Sequence, residues 1–134
     1  MKRLFLAIGL FATAASSGLL AQSMDLRANV PFDFRMGEKI MPAGRYYIHH
    51  SAGLMILREE SGTKAGVVSL TQPSIRRDTP KKGALVFNRY GENYFLASVW
   101  SPNSREGRLL LKSGREKEIA KGGEPVYTAA IPAR

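Results

Sequence analysis

His49 and His50 are the only histidines in the chain, and they are adjacent. Neighbouring residues on a strand point to opposite faces, so these two imidazoles cannot serve one site together. Cysteine is absent, and no Gly-x-Ser-x-Gly stretch occurs. Gly122-Gly123 lacks the Lys-Ser/Thr that a phosphate-cradling loop requires. A thiol nucleophile, a nucleophile elbow and P-loop chemistry are thereby excluded. A histidine-centred metal site would need Asp33, Glu38, Glu59 or Asp78 brought in from another strand. Two histidines beside a turn read more simply as surface residues, so neither metal nor any other cofactor is expected. The carboxylates, Asp25 to Glu124, fall in turns, on the polar sides of strands or on a helix. They read as solvated surface charge rather than as the spaced pair of a glycosidase. The expectation is a protein that is not an enzyme.

What remains is recognition. Tyr46, Tyr47, Phe87, Tyr90, Tyr94, Phe95 and Trp100 either build the core or line a pocket for an apolar ligand or a sugar. A domain of this size must build its core from something, which favours packing. Tyr94 and Trp100 are the best pocket candidates, because each carries a polar atom that needs a partner. Asp33 and Arg35 lie on the polar side of the first strand, from which they could pair with Arg89 and Tyr90. Tyr90, Tyr94, Trp100, Arg89, Asp33 and Arg35 are therefore the candidate contact residues for a ligand or partner.

These side chains must be positioned by one small domain. Lys2 and Arg3, followed by the apolar or small stretch Leu4 to Leu20, have the build of a secretory signal peptide. Cleavage is expected after Ala21, with Ala14 as a second candidate. That leaves 22–134 as a single β-domain, exported to the periplasm or beyond. The chain has 20 Lys and Arg against 11 Asp and Glu, a net charge of +9 that falls by two when Lys2 and Arg3 are removed. An exported protein this basic is attracted to anionic surfaces. The basic residues are scattered, with short clusters at Arg76-Arg77 and Lys81-Lys82, so specific nucleic-acid binding is not expected. Without cysteine, stability rests on burial and backbone pairing even in an oxidising compartment.

The strongest local pattern is Ala84 to Ser101, two aromatic and β-branched runs around Gly91-Glu92. This predicts a hairpin with a type II′ turn, in which glycine supplies the positive φ. The register puts Arg89 opposite Tyr94, Asn88 opposite Phe95, Phe87 opposite Leu96, Val86 opposite Ala97 and Leu85 opposite Ser98. Both faces are largely apolar, which predicts cover on both sides. Leu26 to Met36 alternates strictly and predicts one half-buried strand, placed at a sheet edge by Pro31. Pro42-Ala43-Gly44 turns the chain into a strand at Arg45–His50. Further strands are predicted at Leu54–Glu59, Ala65–Thr71 and Val126–Ile131, and Leu109-Leu110-Leu111 is a short apolar run. Gln72 to Gly83 reads as a long exposed loop, functional or disordered. Ser113 to Glu116 fits a capping box opening a short, mostly exposed helix that stops at Gly122-Gly123.

Several stretches in this order carry a resemblance: Val30-Pro31-Phe32-Asp33-Phe34, Pro42-Ala43-Gly44-Arg45-Tyr46, Phe87-Asn88-Arg89-Tyr90-Gly91 with Tyr94-Phe95-Leu96 and Val99-Trp100, then Ser113 to Ala120. Together they resemble an uncharacterised family of small exported β-proteins of soil bacteria. Gly114 departs from it, since an arginine would follow the serine. The resemblance implies the fold and the export, and no activity.

The reading is thus an all-β domain, a small antiparallel β-barrel or β-sandwich of about seven or eight strands with one short helix in the C-terminal half. The expected function is a non-enzymatic binding or interaction module of the bacterial cell envelope. Its partner is an unknown protein or a second copy added at the Leu26–Met36 edge, or an anionic envelope surface. The alternatives are a β-barrel carrier of a small apolar ligand, which requires a hollow centre, and a polysaccharide hydrolase, which requires clustered carboxylates.

Overall fold

The computed structural model describes residues 23–62 and 66–134. The predicted export segment, its cleavage site and the start of the strand expected at Ala65 lie outside the described residues. The elements are β1 (Met24–Val30), β2 (Phe34–Met36), β3 (Lys39–Met41), β4 (Gly44–Ser51), β5 (Leu54–Glu59), β6 (Val67–Ile75), β7 (Gly83–Tyr90), β8 (Asn93–Trp100), β9 (Glu106–Leu110), α1 (Gly114–Lys121) and β10 (Tyr127–Ala133). Eight strands run β8-β7-β10-β1-β4-β5-β6-β9, every pair antiparallel, and β9 returns to β8. The domain is a closed barrel rather than a sandwich.

Alternation along each strand fills the interior. Leu26 and Val30 of β1, Tyr46 and Ile48 of β4, Met55 and Leu57 of β5, Leu85 and Phe87 of β7, and Val99 of β8 are all buried. An eight-stranded barrel is just wide enough for side chains to fill it. The hairpin of β2 and β3 stands outside the circuit. Its β2 lies parallel to β8 at Arg35 and Phe95, and it sends Phe34 and Met36 into the core. Phe34 meets Tyr46 and Phe87 edge-on, each at 5.2 Å between ring centroids.

Four sequence expectations are corrected. The stretch Leu26 to Met36 is two strands, broken at Pro31–Asp33, where Asp33 Oδ1 accepts from the Ala43 N–H at 2.8 Å. Nor is its first part an edge: β1 is paired with β10 on one side and β4 on the other. Pro31 ends that strand instead of blunting its side, and the short β10 pairing at Ala28–Ala133, with Arg27 and Arg134 beside it, occupies part of the ladder that strand addition would use. The predicted loop shortens to Arg76–Lys82, because β6 continues through Pro73 to Ile75 against β9. Past Leu70 the β5 side of β6 has no strand neighbour, and a proline nitrogen can be spared there. The hairpin register holds from Tyr90–Asn93 to Phe87–Leu96, and Gly91 has φ +61°. A bulge then pairs Val86 with Ser98 and Leu85 with Val99, one residue beyond the expected partners. The extra residue turns Val99 into the core and Ser98 and Trp100 outward.

Cover over the outer face of β7 and β8 comes from α1. The Ser113 hydroxyl accepts from the Glu116 N–H at 3.2 Å, one half of the predicted capping box; the Glu116 side chain, expected to reach back and to be solvated, turns to the sheet instead. Glu116 itself is buried against the sheet, where its carboxylate accepts from Asn88 Nδ2 and from the Tyr90 hydroxyl, each at 3.0 Å. Tyr90 in turn packs edge-on against Phe95. Burial, and then the neighbouring Glu116, raise the Tyr90 hydroxyl above the usual tyrosine range.

Candidate functional site

The outer face of β4, β5 and β6 carries the largest departure from an ordinary barrel exterior. Leu54-Met55-Ile56-Leu57 is apolar on both phases. Met55 and Leu57 fill the core, which leaves Leu54 and Ile56 outside. In β6 the usual alternation is inverted: Ser69 and Thr71 take the inward phase and Val68 and Leu70 point out. The register sets Leu54 directly opposite Leu70 and Ile56 opposite Val68. Leu70 is 64% exposed, Val68 55% and Leu54 41%. Leu109 continues the strip on β9, opposite Gln72. Two cross-strand apolar pairs side by side form a contiguous patch, unlike the isolated exposed Ile40 and Ile75.

A groove of about 410 Å³ borders this strip, lined by Tyr47, His49, Ile56, Arg58, Glu59 and Glu60. Arg27, Arg45 and Arg58 all lie on the outward phase of β1, β4 and β5 and are exposed. The Arg27 guanidinium sits 5.2 Å from the centroid of the Tyr47 ring. Asp25, the acid on the same face of β1, is already paired, its Oδ1 lying 2.6 Å from His49 Nδ1. The face thus presents an apolar centre flanked by three arginines, with Glu59 and Glu60 at the edge of the groove. His49 and His50 do point to opposite sides, His49 to this face and His50 inward, where it is buried rather than the surface residue its place beside a turn suggested.

The six predicted contact residues do not form one site. Tyr90 is buried beneath α1. Trp100 lies on the outside of β8, where its Nε1 donates to Ser98 Oγ at 2.9 Å and the Arg76 guanidinium stacks 5.0 Å from its ring. The other four gather at the opposite part of the hairpin. Tyr94 stacks on Phe32 at 3.8 Å with the Arg89 guanidinium 5.4 Å from the Tyr94 ring. Asp33 and Arg35 share with Tyr94 a shallow depression of about 140 Å³. The expected ion pairing of Asp33 and Arg35 with Arg89 and Tyr90 is not made. Asp33 holds the Ala43 N–H, Arg89 Nε donates to the Gly91 carbonyl at 2.7 Å, and Tyr90 donates to Glu116. These are fold-holding roles.

Sequence reasoning missed Val68, Leu70 and the outward half of β5. Their signal was present in the two-sided apolar run of β5 and the polar inward phase of β6, but it reads as a fully covered strand until the neighbours are known. Among the described residues no group of three or more His, Asp or Glu is placed to hold a metal. No family model, no curated protein and no solved structure matches this chain. The class of protein is given by the fold alone: an eight-stranded antiparallel barrel with an added hairpin and one external helix.

Proposed function

We propose that the chain is an exported, non-enzymatic binding module of the bacterial cell envelope, and that it docks on an anionic lipid surface through the outer face of β4, β5 and β6. The observation that carries this reading is the paired apolar strip Leu54–Leu70 and Ile56–Val68, flanked by Arg27, Arg45 and Arg58. Exposed apolar side chains beside arginines suit the boundary between lipid headgroups and acyl chains. Each basic residue near an anionic bilayer contributes about 1 kcal/mol, and the net positive charge, +9 for the full chain and two less without Lys2 and Arg3, acts in the same direction. A second copy is the competing occupant: it would bring three arginines towards three more, with Glu59 and Glu60 as the acids available to offset them. A carrier for an apolar ligand in the barrel interior is disfavoured, since Leu26, Val30, Tyr46, Ile48, Leu57 and Phe87 fill the space it would occupy.

Flotation with vesicles tests the proposal. The protein should rise with phosphatidylglycerol-containing vesicles, stay behind with pure phosphatidylcholine, and be released by salt. Leu70→Asp and Val68→Asp should abolish flotation. Equal recovery with both vesicle types, or flotation that survives both substitutions, would overturn it. A dimer in solution that Leu70→Asp dissolves would assign the face to a second copy instead.

A further inference from the structure

A second site lies at one mouth of the barrel, away from the apolar face. There Met24, His50, Ser101, Ser104, Glu106 and Arg108 border an open pocket of about 300 Å³. Its volume falls at the small end of the ~300–1,000 Å³ range of small-molecule sites.

The wall of this pocket is fixed in advance. Arg76 Nη2 donates to the Ser101 carbonyl at 3.0 Å and to the Ser104 carbonyl at 3.1 Å, and its Nε donates to Ser104 at 3.3 Å. The same guanidinium stacks on Trp100. The connection from β8 to β9 is thus tied to β6 at several points, and binding need not order it.

His50 forms part of the pocket lining and is 1% exposed. The Thr71 hydroxyl spends its proton on the Gly53 carbonyl at 3.1 Å, so its oxygen accepts from His50 Nε2, also at 3.1 Å. The network therefore assigns the imidazole proton to Nε2 and a lone pair to Nδ1. Nδ1 has no hydrogen-bond partner among the described residues. Burial, and then Arg108, lower the His50 pKa and keep the ring neutral. Arg108 is half-buried and makes no ion pair among the described residues. The Ser101 and Ser104 hydroxyls supply donors, and the Glu106 carboxylate supplies an acceptor at the rim.

We propose that this mouth binds a sugar acid, a single hydroxylated unit carrying one carboxylate. Arg108 takes the carboxylate, His50 Nδ1 accepts from a ligand hydroxyl, and Ser101, Ser104 and Glu106 meet the remaining hydroxyls. Hydrogen phosphate carries a single hydroxyl, so it cannot donate to His50 Nδ1 and to the Glu106 carboxylate at once, and it brings a second negative charge towards Glu106. A neutral sugar leaves Arg108 without a counter-charge. The volume limits the pocket to one such unit, free in solution or at the end of an acidic polysaccharide.

The test titrates the protein with glucuronate, glucose and inorganic phosphate and follows backbone amide shifts by NMR. Glucuronate should shift Thr71, Ser104 and Arg108 saturably, with glucose about tenfold weaker or more and phosphate not saturating. Arg108→Gln should bring glucuronate down to the level of glucose while thermal unfolding stays cooperative. Ser101→Ala, which keeps the backbone carbonyl that Arg76 holds and leaves the Ser104 hydroxyl on the Glu106 N–H, should weaken glucuronate several-fold. A short uronate oligomer binding more tightly than the monomer marks a polysaccharide end as the source, and equal binding marks a free sugar acid. Absence of saturation with glucuronate, phosphate binding as well as glucuronate, or an unaffected Arg108→Gln variant would overturn the proposal. Leu70→Asp should leave glucuronate binding unchanged, which separates this site from the lipid-facing surface.

Discussion

The Tyr90 hydroxyl donates to the Glu116 carboxylate at 3.0 Å, joining the outer face of β7 to the underside of α1. A helix of eight residues has little stability of its own, and Glu116 is its buried residue. The helix is therefore held by a polar anchor rather than by an apolar stripe. Glu116→Ala leaves Tyr90 and Asn88 without their acceptor and should cost about 2–3 kcal/mol in urea unfolding. Glu116→Gln retains an acceptor and should cost less than half of that. Equal losses for the two would place the effect in packing rather than in hydrogen bonding.

Gly107 lies under the Trp100 ring, so close that an added Cβ would come within 2.3 Å of Trp100 Cε3. Gly107→Ala must push the indole off β9 and away from Arg76. Trp100 is the only tryptophan, so fluorescence reports it without background. The expected result is a red-shifted emission and a loss of about 1–3 kcal/mol. An unchanged spectrum would mean that the ring is not seated on this glycine.

Tyr46 is fully buried, and its hydroxyl donates to the Pro42 carbonyl. Burial first, then Glu59 and Asp33, push it up to about 12 from the ordinary 10.0. Its folded pKa lies above the unfolded one. The associated stability is present below pH 10 and is lost as pH rises towards 12, amounting to about 3 kcal/mol over that window. Tyr90, raised in the same direction, adds to the slope. Tyr46→Phe should flatten the alkaline limb of a stability profile while losing about 1 kcal/mol at neutral pH.

His50 runs the other way. Its pKa is lowered by burial and by Arg108, so its contribution is present above the unfolded value of 6.5 and is lost as pH falls below it. Urea midpoints measured from pH 7 down to pH 5 should decline, and His50→Gln should decline less. A flat profile in the native protein would contradict the buried neutral ring.

The two sides of β5 and β6 should respond oppositely to substitution. Leu57→Ala removes a fully buried side chain and should cost about 2–4 kcal/mol. Leu70→Asp, on the exposed side, should change stability by less than about 0.5 kcal/mol and raise solubility. A large loss at Leu70 would show that the outer strip is packed against part of the chain.

Much of this structure is determined within short stretches of sequence. Alternation places Leu26, Ala28 and Val30 inside and Arg27 and Asn29 outside, because a strand repeats every two residues whatever its neighbours. Gly91 sets a tight turn because positive φ costs it nothing, and Ser113 caps α1 because its oxygen reaches an N–H three residues on. The opposed directions of His49 and His50 follow from the same alternation.

Other features depend on strand neighbours that only closure of the barrel provides. Pro31 and the polar alternation of β1 suit an edge equally well; what puts β1 in the interior of the sheet is its pairing with β10 and β4. Arg76 and Trp100 are 24 positions apart, and β6 and β8 meet only because β9 lies between them. The bulge in β8 turns Trp100 outward, and Glu116 becomes a buried anchor only when α1 lands on Tyr90. His50 and Arg108 come to one mouth, and Leu54 and Leu70 to one face, by register across the sheet. Periodicity tells which way a side chain points from its own backbone. What it points at is set by contacts between distant segments, whose cooperative pairing in a closed sheet no local pattern contains.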